Sequence, residues 1–130
     1  MKRKFRVVLS GRLHRFEAKA VADEAVEYPG CYELIAMEGG KPAVLFVGFA
    51  MDSIRTSLEA HLAGALRPSP LELREAGSEL FFEFVSSSDI DSKEEHKDIA
   101  GALIARHLPR FNAGPLPSTG RFAEVEVEEV

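Results

Sequence analysis

The chain has 130 residues, of which 45% are hydrophobic and 28% are charged, a composition typical of one soluble globular domain. No apolar run approaches the roughly 18 residues that a membrane-spanning helix needs, so we expect no membrane partner. The net charge of −5 argues against a protein that presents a basic surface to nucleic acid throughout. The single cysteine, Cys31, excludes an internal disulfide, and we expect a cytoplasmic location.

The first half of the chain reads mainly as strands. Residues 2–9 alternate basic and apolar side chains, which predicts a strand, and residues 13–21 predict a second one. Residues 22–28 indicate an irregular or short helical segment. Residues 32–37 predict a strand that turns at two glycines into residues 43–49. The latter run is almost continuously apolar, which favours a central strand covered on both faces.

A helix is predicted next, with Asp52 or Ser53 as its N-cap. Its predicted buried face consists of apolar residues at helical spacing: Ile54, Leu58, Leu62 and Ala65. The two prolines of Arg67-Pro68-Ser69-Pro70 end this helix.

Residues 80–85 predict a further strand, and residues 121–130 predict the last one. Between them, Ser92-Lys93-Glu94-Glu95 fits a capping box that opens a second helix, which ends before Pro109. Its predicted inward face carries Ile99, Leu103 and Ile104. Glu95 and Asp98 are predicted to point away from that face.

The two ends of the chain carry opposite charges. The basic side chains on one face of the first strand are Lys2, Lys4 and Arg6, and the acidic ones on one face of the last strand are Glu124, Glu126 and Glu128. One interpretation is that these strands pair, since opposite charges across a strand pair contribute about 0.2–1 kcal/mol each. The other is a free basic patch that binds DNA, and both remain open at this point.

The order of elements predicts an α+β fold: a small central antiparallel sheet with two flanking helices, and extra strands at both ends. We expect a single domain over residues 1–130, with a β-β-α-β-α core over residues 28–112.

This order and several motifs resemble the GIY-YIG nuclease family, in particular its excision-repair branch. Gly30-Cys31-Tyr32 stands where the family has GIY, and Phe46-Val47-Gly48 stands where it has YIG. The segment from Leu103 to Asn112 is similar to the family's closing pattern, a Leu-Ile helix end followed by Pro-x-aromatic-Asn.

The resemblance implies a site that cuts DNA with one divalent metal, two tyrosines, an arginine and a glutamate. Carried over by position, Tyr32 is the first tyrosine, and Phe46 replaces the second and lacks its oxygen. Ser57 falls at the arginine position, and Arg55, two residues earlier, is the substitute to consider. Ala100 falls at the position of the metal-binding glutamate, so no metal ligand is expected.

Further candidates follow from the same alignment. His61 is a possible phosphate donor or base, and Gly48 and Asn112 are candidate binding residues. Each has a structural alternative: a core tyrosine for Tyr32, a buried histidine for His61, a solvated helix arginine for Arg55 and a loop tie for Asn112. A rebuilt metal site of His61, His96 and His107 is a further alternative. Cys31 reads as a core residue.

Three functions remain open. The first is a domain of this fold that has lost nuclease chemistry and binds nucleic acid or a protein, with the acidic balance favouring a protein or self-association. The second is an active endonuclease using Mg²⁺ or Mn²⁺, with Arg55 and Glu94 or Glu95 in shifted roles. The third is a small α+β protein of unrelated function. No cofactor is expected outside the second.

Overall fold

The computed structural model describes residues 2–7, 13–77, 79–85, 93–112 and 124–129, which form an α+β fold. Its strands within these residues are Lys2–Val7 (β1), His14–Arg15 (β2), Gly30–Glu38 (β3), Lys41–Ala50 (β4), Leu80–Phe84 (β5) and Glu124–Glu129 (β6). Its helices there are Ala18–Glu24 (α1), Ile54–Leu62 (α2), Pro70–Leu73 (α3) and Lys93–His107 (α4). The predicted α+β class is confirmed, with two helices more than expected.

Four strands form an antiparallel sheet in the order β2-β5-β3-β4. The predicted antiparallel sheet is therefore confirmed, but β3 is one of its two inner strands and β4 is an edge strand. The prediction that β4 is central was wrong. A continuous apolar run indicates that both faces of a strand are covered, but it does not indicate whether the strand has one neighbouring strand or two. Pro42 lies within β4, as an edge strand allows, since proline has no N–H for a ladder.

Helices cover both faces of this sheet. On one face, α1, α2 and α3 pack against a cluster that includes Leu34, Phe82, Ile54 and Leu58. On the other face, α4 packs against a second cluster: Cys31, Val47, Val85, Ile99, Ala100, Leu103 and Ile104. Because successive strand residues point to opposite faces, the neighbours Cys31 and Tyr32 enter different clusters.

The segment after residue 13 departs from its prediction. Only His14 and Arg15 pair as a strand, and α1 follows at Ala18. Val21 and Ala25 are both buried, four residues apart, which is the spacing of one helix face. The second half of the stretch that was predicted as a strand is therefore the start of an amphipathic helix.

The helix after β4 begins as predicted, with Ser53 rather than Asp52 as its N-cap. The Ser53 hydroxyl accepts a hydrogen bond from the Thr56 N–H at 3.2 Å. Ile54 and Leu58 are buried, whereas Ala65 is exposed beyond the end of α2. The prediction that the prolines end this helix was wrong, because α2 ends at Leu62, well before Pro68, and Gly64 takes a positive φ of 80° just past its C-cap, Ala63. Pro70 instead begins α3, where Ser69 and Glu72 form a capping box.

The second predicted helix is α4, which ends before Pro109 as expected, while its predicted cap, Ser92, lies outside the described residues. Ile99, Leu103 and Ile104 are buried as predicted. Glu95 and Asp98 are also buried, which contradicts their predicted outward direction. The reason is that β6 lies against α4 in addition to the sheet, so that more than one side of the helix is covered.

The two terminal strands pair with each other, as one of the two interpretations predicted. They form a separate two-stranded parallel sheet. Its register sets Lys2 opposite Glu124, Lys4 opposite Glu126 and Arg6 opposite Glu128. Three basic positions of β1 therefore lie opposite three acidic positions of β6, at every second residue.

Across the described part of the chain, no helix is both long enough and apolar enough to cross a membrane.

The burial of Cys31 generates a test of the packing between the sheet and α4. Its thiol donates a hydrogen bond to the His96 carbonyl at 2.7 Å, and burial raises its pKa. Because the thiolate is the reactive form, we expect Cys31 to resist an aromatic disulfide reagent in the folded protein. The same reagent should react promptly in concentrated guanidinium. Rapid labelling of the native protein at neutral pH would contradict this packing.

Candidate functional site

The β3–β4 hairpin places the ring of Tyr32 directly on the backbone of Gly48. The two residues are cross-strand partners. A Cβ atom on Gly48 would lie 2.1 Å from Cζ of Tyr32 and 2.4 Å from its hydroxyl oxygen. No side chain fits in that space, so only glycine lets the ring take this position. The role of Gly48 in this structure is thus to seat Tyr32.

Tyr32 and His61, two of the predicted site residues, are in direct contact. The Tyr32 hydroxyl lies 2.7 Å from Nε2 of His61, and Nδ1 of His61 lies 3.0 Å from the Pro68 carbonyl oxygen. A carbonyl can only accept, so Nδ1 of the neutral ring carries the proton and Nε2 accepts. The Tyr32 hydroxyl therefore donates to His61, and the α2–α3 connection holds the imidazole in place through Pro68.

Phe46 completes an aromatic group with this pair. Its ring centroid lies 5.3 Å from that of His61 in an edge-on arrangement, and 6.3 Å from that of Tyr32. Phe46 is partly buried, whereas Tyr32 and His61 are only 3% and 1% exposed. The aromatic ring that replaces the second tyrosine therefore packs beside the pair without adding an oxygen to it.

Burial sets the electrostatics of the Tyr32–His61 pair. It raises the pKa of the Tyr32 hydroxyl and lowers the pKa of the His61 imidazole, because each charged form would lose its hydration. Both groups are therefore neutral near neutral pH. A proton transfer from Tyr32 to His61 would create two buried charges, so the ground state is a neutral hydrogen bond.

Arg55 is not near this pair and serves another purpose. Its Nε and Nη2 donate to the Ala25 carbonyl at 3.0 and 2.7 Å, and its Nη1 lies 2.8 Å from Glu27. These bonds tie the start of α2 to the chain that follows α1. The guanidinium is partly buried and makes three hydrogen bonds within the protein, which differs from the structural alternative of a solvated arginine.

Ala100 lies on the other side of the sheet from Tyr32 and His61. It is fully buried beside Cys31 and Val47, so its predicted inward direction is confirmed. A carboxylate at this position would nevertheless be separated from the pair by the sheet itself. The same holds for Glu95, which lies on the same helix.

The alternative histidine site is wrong for the same reason. His96 and His107 belong to α4 on one face of the sheet, and His61 belongs to α2 on the other. In the described ranges no group of three or more histidine, cysteine, aspartate or glutamate side chains is placed to hold a metal ion.

Asn112 holds the outer edge of β4. Its Oδ1 accepts from the Val47 N–H at 2.9 Å, and its Nδ2 donates to the Val47 carbonyl at 3.0 Å. Among the described residues no strand pairs with this side of β4, and the side-chain amide takes the place that a strand's peptide group would occupy. This contact corresponds to the structural alternative for Asn112, in which its side chain holds a loop in place.

Sequence reasoning missed one buried polar contact, between Glu33 in the middle of β3 and His107 at the end of α4. Glu33 is 1% exposed, and its Oε2 lies 3.7 Å from Nε2 of His107. Glu33 points to the α4 face because it lies between Tyr32 and Leu34, which point to the other. An acidic residue inside an apolar strand was the signal available for this contact.

Comparison with known proteins found no match of any kind: no family model, no curated protein and no solved structure is similar enough to place this chain.

The contact between Gly48 and the Tyr32 ring predicts that the cost of a substitution at Gly48 depends on the residue at position 32. Gly48→Ala should destabilise the protein by about 3 kcal/mol or more, because the new methyl group meets the Tyr32 ring. Tyr32→Leu removes the ring tip, and in that background the added cost of Gly48→Ala should fall by at least about 1 kcal/mol. Urea unfolding of the four proteins in this cycle measures both values. Additive effects would show that the ring does not occupy this space.

The buried imidazole predicts a loss of stability in acid. The pKa of His61 lies below its ordinary value of 6.5, so the unfolded chain binds the proton more readily than the folded one. The contribution of His61 is complete above pH 6.5 and declines as pH falls through the folded-state value. His96, whose pKa burial also lowers, adds to the same trend.

Thermal unfolding between about pH 7.5 and about pH 5 checks this expectation. The melting temperature of the wild type should fall more steeply than that of His61→Gln, which cannot be charged. Comparing slopes separates the titration from any loss of packing in the variant. Equal slopes would indicate that His61 titrates normally in the folded protein.

Proposed function

We propose that the chain is a domain of the GIY-YIG nuclease type that does not cut DNA and acts as a binding module for a protein partner. The element order β3, β4, α2, β5, α4, with α3 added, supports this family type, as does the contact of Tyr32 with Gly48 and His61. These are the residues that carry the resemblance in the sequence.

One observation supports the loss of chemistry more than any other: the hydroxyl that would serve catalysis is committed to a buried hydrogen bond. Tyr32 donates to His61, and His61 donates to Pro68, so neither side chain presents a free group to a substrate. Arg55 is likewise committed to Ala25 and Glu27. A nuclease needs groups that face the phosphate and stabilise its developing charge.

The charge of the chain favours a protein over nucleic acid as partner. The net charge is −5, and the three basic positions of β1 lie opposite glutamates of β6 in the register. Among the described residues, several large apolar side chains are exposed, including Tyr28, Met51 and Leu71. Aromatic side chains and methionine are enriched where proteins meet other proteins.

An active endonuclease is the second candidate. A phenol hydrogen-bonded to a neutral imidazole is an arrangement that can activate a nucleophile once a substrate replaces one partner. This function would require a metal ion, Mg²⁺ or Mn²⁺, held by residues other than the aligned Ala100. It would also require the covering side chains to move.

A plasmid-nicking assay with Mg²⁺ or Mn²⁺ tests the loss of chemistry. We expect no cleavage above the background given by Tyr32→Phe, which keeps the ring and loses only the hydroxyl. Metal-dependent nicking by the wild type that Tyr32→Phe abolishes would support the second candidate and overturn the proposal.

A salt-dependent titration with labelled duplex DNA tests the class of partner. A phosphate-binding surface loses affinity for DNA steeply as the salt concentration rises. Any weak binding of DNA at low salt should therefore be lost after a small increase in salt. We expect binding to be weak, and a variant with Lys2, Lys4 and Arg6 changed to glutamate should behave like the wild type. Strong binding that this variant loses would instead assign the partner as nucleic acid.

A further inference from the structure

The chain that follows α4 covers the open edge of the main sheet. We call residues 109–112 the edge strap. Its Phe111 N–H donates to the Leu45 carbonyl at 2.9 Å, and the Asn112 side chain makes both of its bonds to Val47. Three backbone groups at the edge of β4 thereby receive partners from a segment that is not itself a strand.

The strand beneath the strap is well suited to pair with another chain. Pro42 to Ala50 contains no charged residue, and Ala43 to Phe49 is rich in β-branched and aromatic side chains. An edge strand of this composition is prone to add a strand from another molecule, and proteins commonly cover such edges with a loop. The strap is in the position to be such a cover.

The strap begins at a strained residue. Leu108 has φ of +47°, a conformation that favours glycine, and its side chain is 79% exposed. The preceding residue, His107, lies against the buried Glu33, which fixes the end of α4. The strap therefore leaves α4 through a residue in an unfavourable backbone conformation, and the contacts of Phe111 and Asn112 are the described hydrogen bonds that hold it on β4.

We propose that the edge strap is an intramolecular guard, and that releasing it allows the β4 edges of two copies of this chain to pair. A second copy is the fitting partner because the stretch of β4 from Pro42 to Ala50 carries no charge and so matches itself, without like charges meeting across a twofold axis. A strongly acidic or basic peptide would find no complementary charge along this stretch. This inference does not depend on whether the domain binds protein or nucleic acid.

Asn112→Ala tests the guard, since it removes both bonds to Val47 while leaving the core residues in place. The wild type should sediment as a monomer of 14.3 kDa at every concentration. The variant should approach twice that mass as its concentration rises. Asn112→Asp keeps an acceptor for the Val47 N–H but sets a second oxygen against the Val47 carbonyl, so it should also release the strap and shift the mass in the same direction.

Amide hydrogen exchange at Val47 distinguishes edge pairing from general unfolding. In the Asn112→Ala variant this amide should exchange faster than in the wild type when dilute, and should regain protection when concentrated. Leu108→Gly, which removes the strain and keeps the strap, should remain a monomer with a protected Val47 amide.

Three results would overturn the proposal. The first is a variant that remains monomeric at all concentrations although its Val47 amide is exposed. The second is association accompanied by loss of cooperative thermal unfolding, which would indicate aggregation of unfolded chains. The third is a wild type that already dimerises with its strap in place, since the strap would then not be a guard.

Discussion

The ring of Tyr32 lies across the backbone of Gly48, and much of the arrangement around the hairpin depends on this contact. Because Gly48 has no side chain, the ring can lie flat enough for its hydroxyl to reach His61. His61 in turn binds the Pro68 carbonyl and so positions the connection between α2 and α3. The absence of a Cβ atom at Gly48 therefore allows a buried chain of two hydrogen bonds to form. This chain connects the β3–β4 hairpin with α2 and the loop that follows it.

The same chain of hydrogen bonds limits what the residues can do. Burial keeps both Tyr32 and His61 neutral, and each of their polar atoms has a partner within the protein. A hydrogen-bonded pair of this kind stabilises a fold well, since breaking it would leave a buried polar group unsatisfied. Its value for catalysis would appear only after another group had replaced one of the partners. The Tyr32 hydroxyl thus cannot stabilise the fold through His61 and bind a substrate at the same time.

Much of the fold could be predicted from local patterns. The strands from β3 to β5, the N-cap at Ser53 and the end of α4 follow from alternation, capping chemistry and proline, which act within a few residues. The pairing of the terminal strands was also accessible, because opposite charges recur at the same period of two. The errors occurred where a local pattern has two readings, as at residues 13–21, where a short apolar and polar mixture fits a strand or a helix.

By itself the sequence determined which residue types are present and where some of the elements begin or end: a tyrosine and a glycine in the hairpin, a histidine on α2 and an alanine on α4. Only the tertiary structure decided which of them meet. The faces of the sheet bring Tyr32 and His61 together and separate both from Ala100, because strand alternation and helix placement act over long sequence distances. The edge position of β4, and its cover by Asn112, depended likewise on the strand order, which no local pattern specifies.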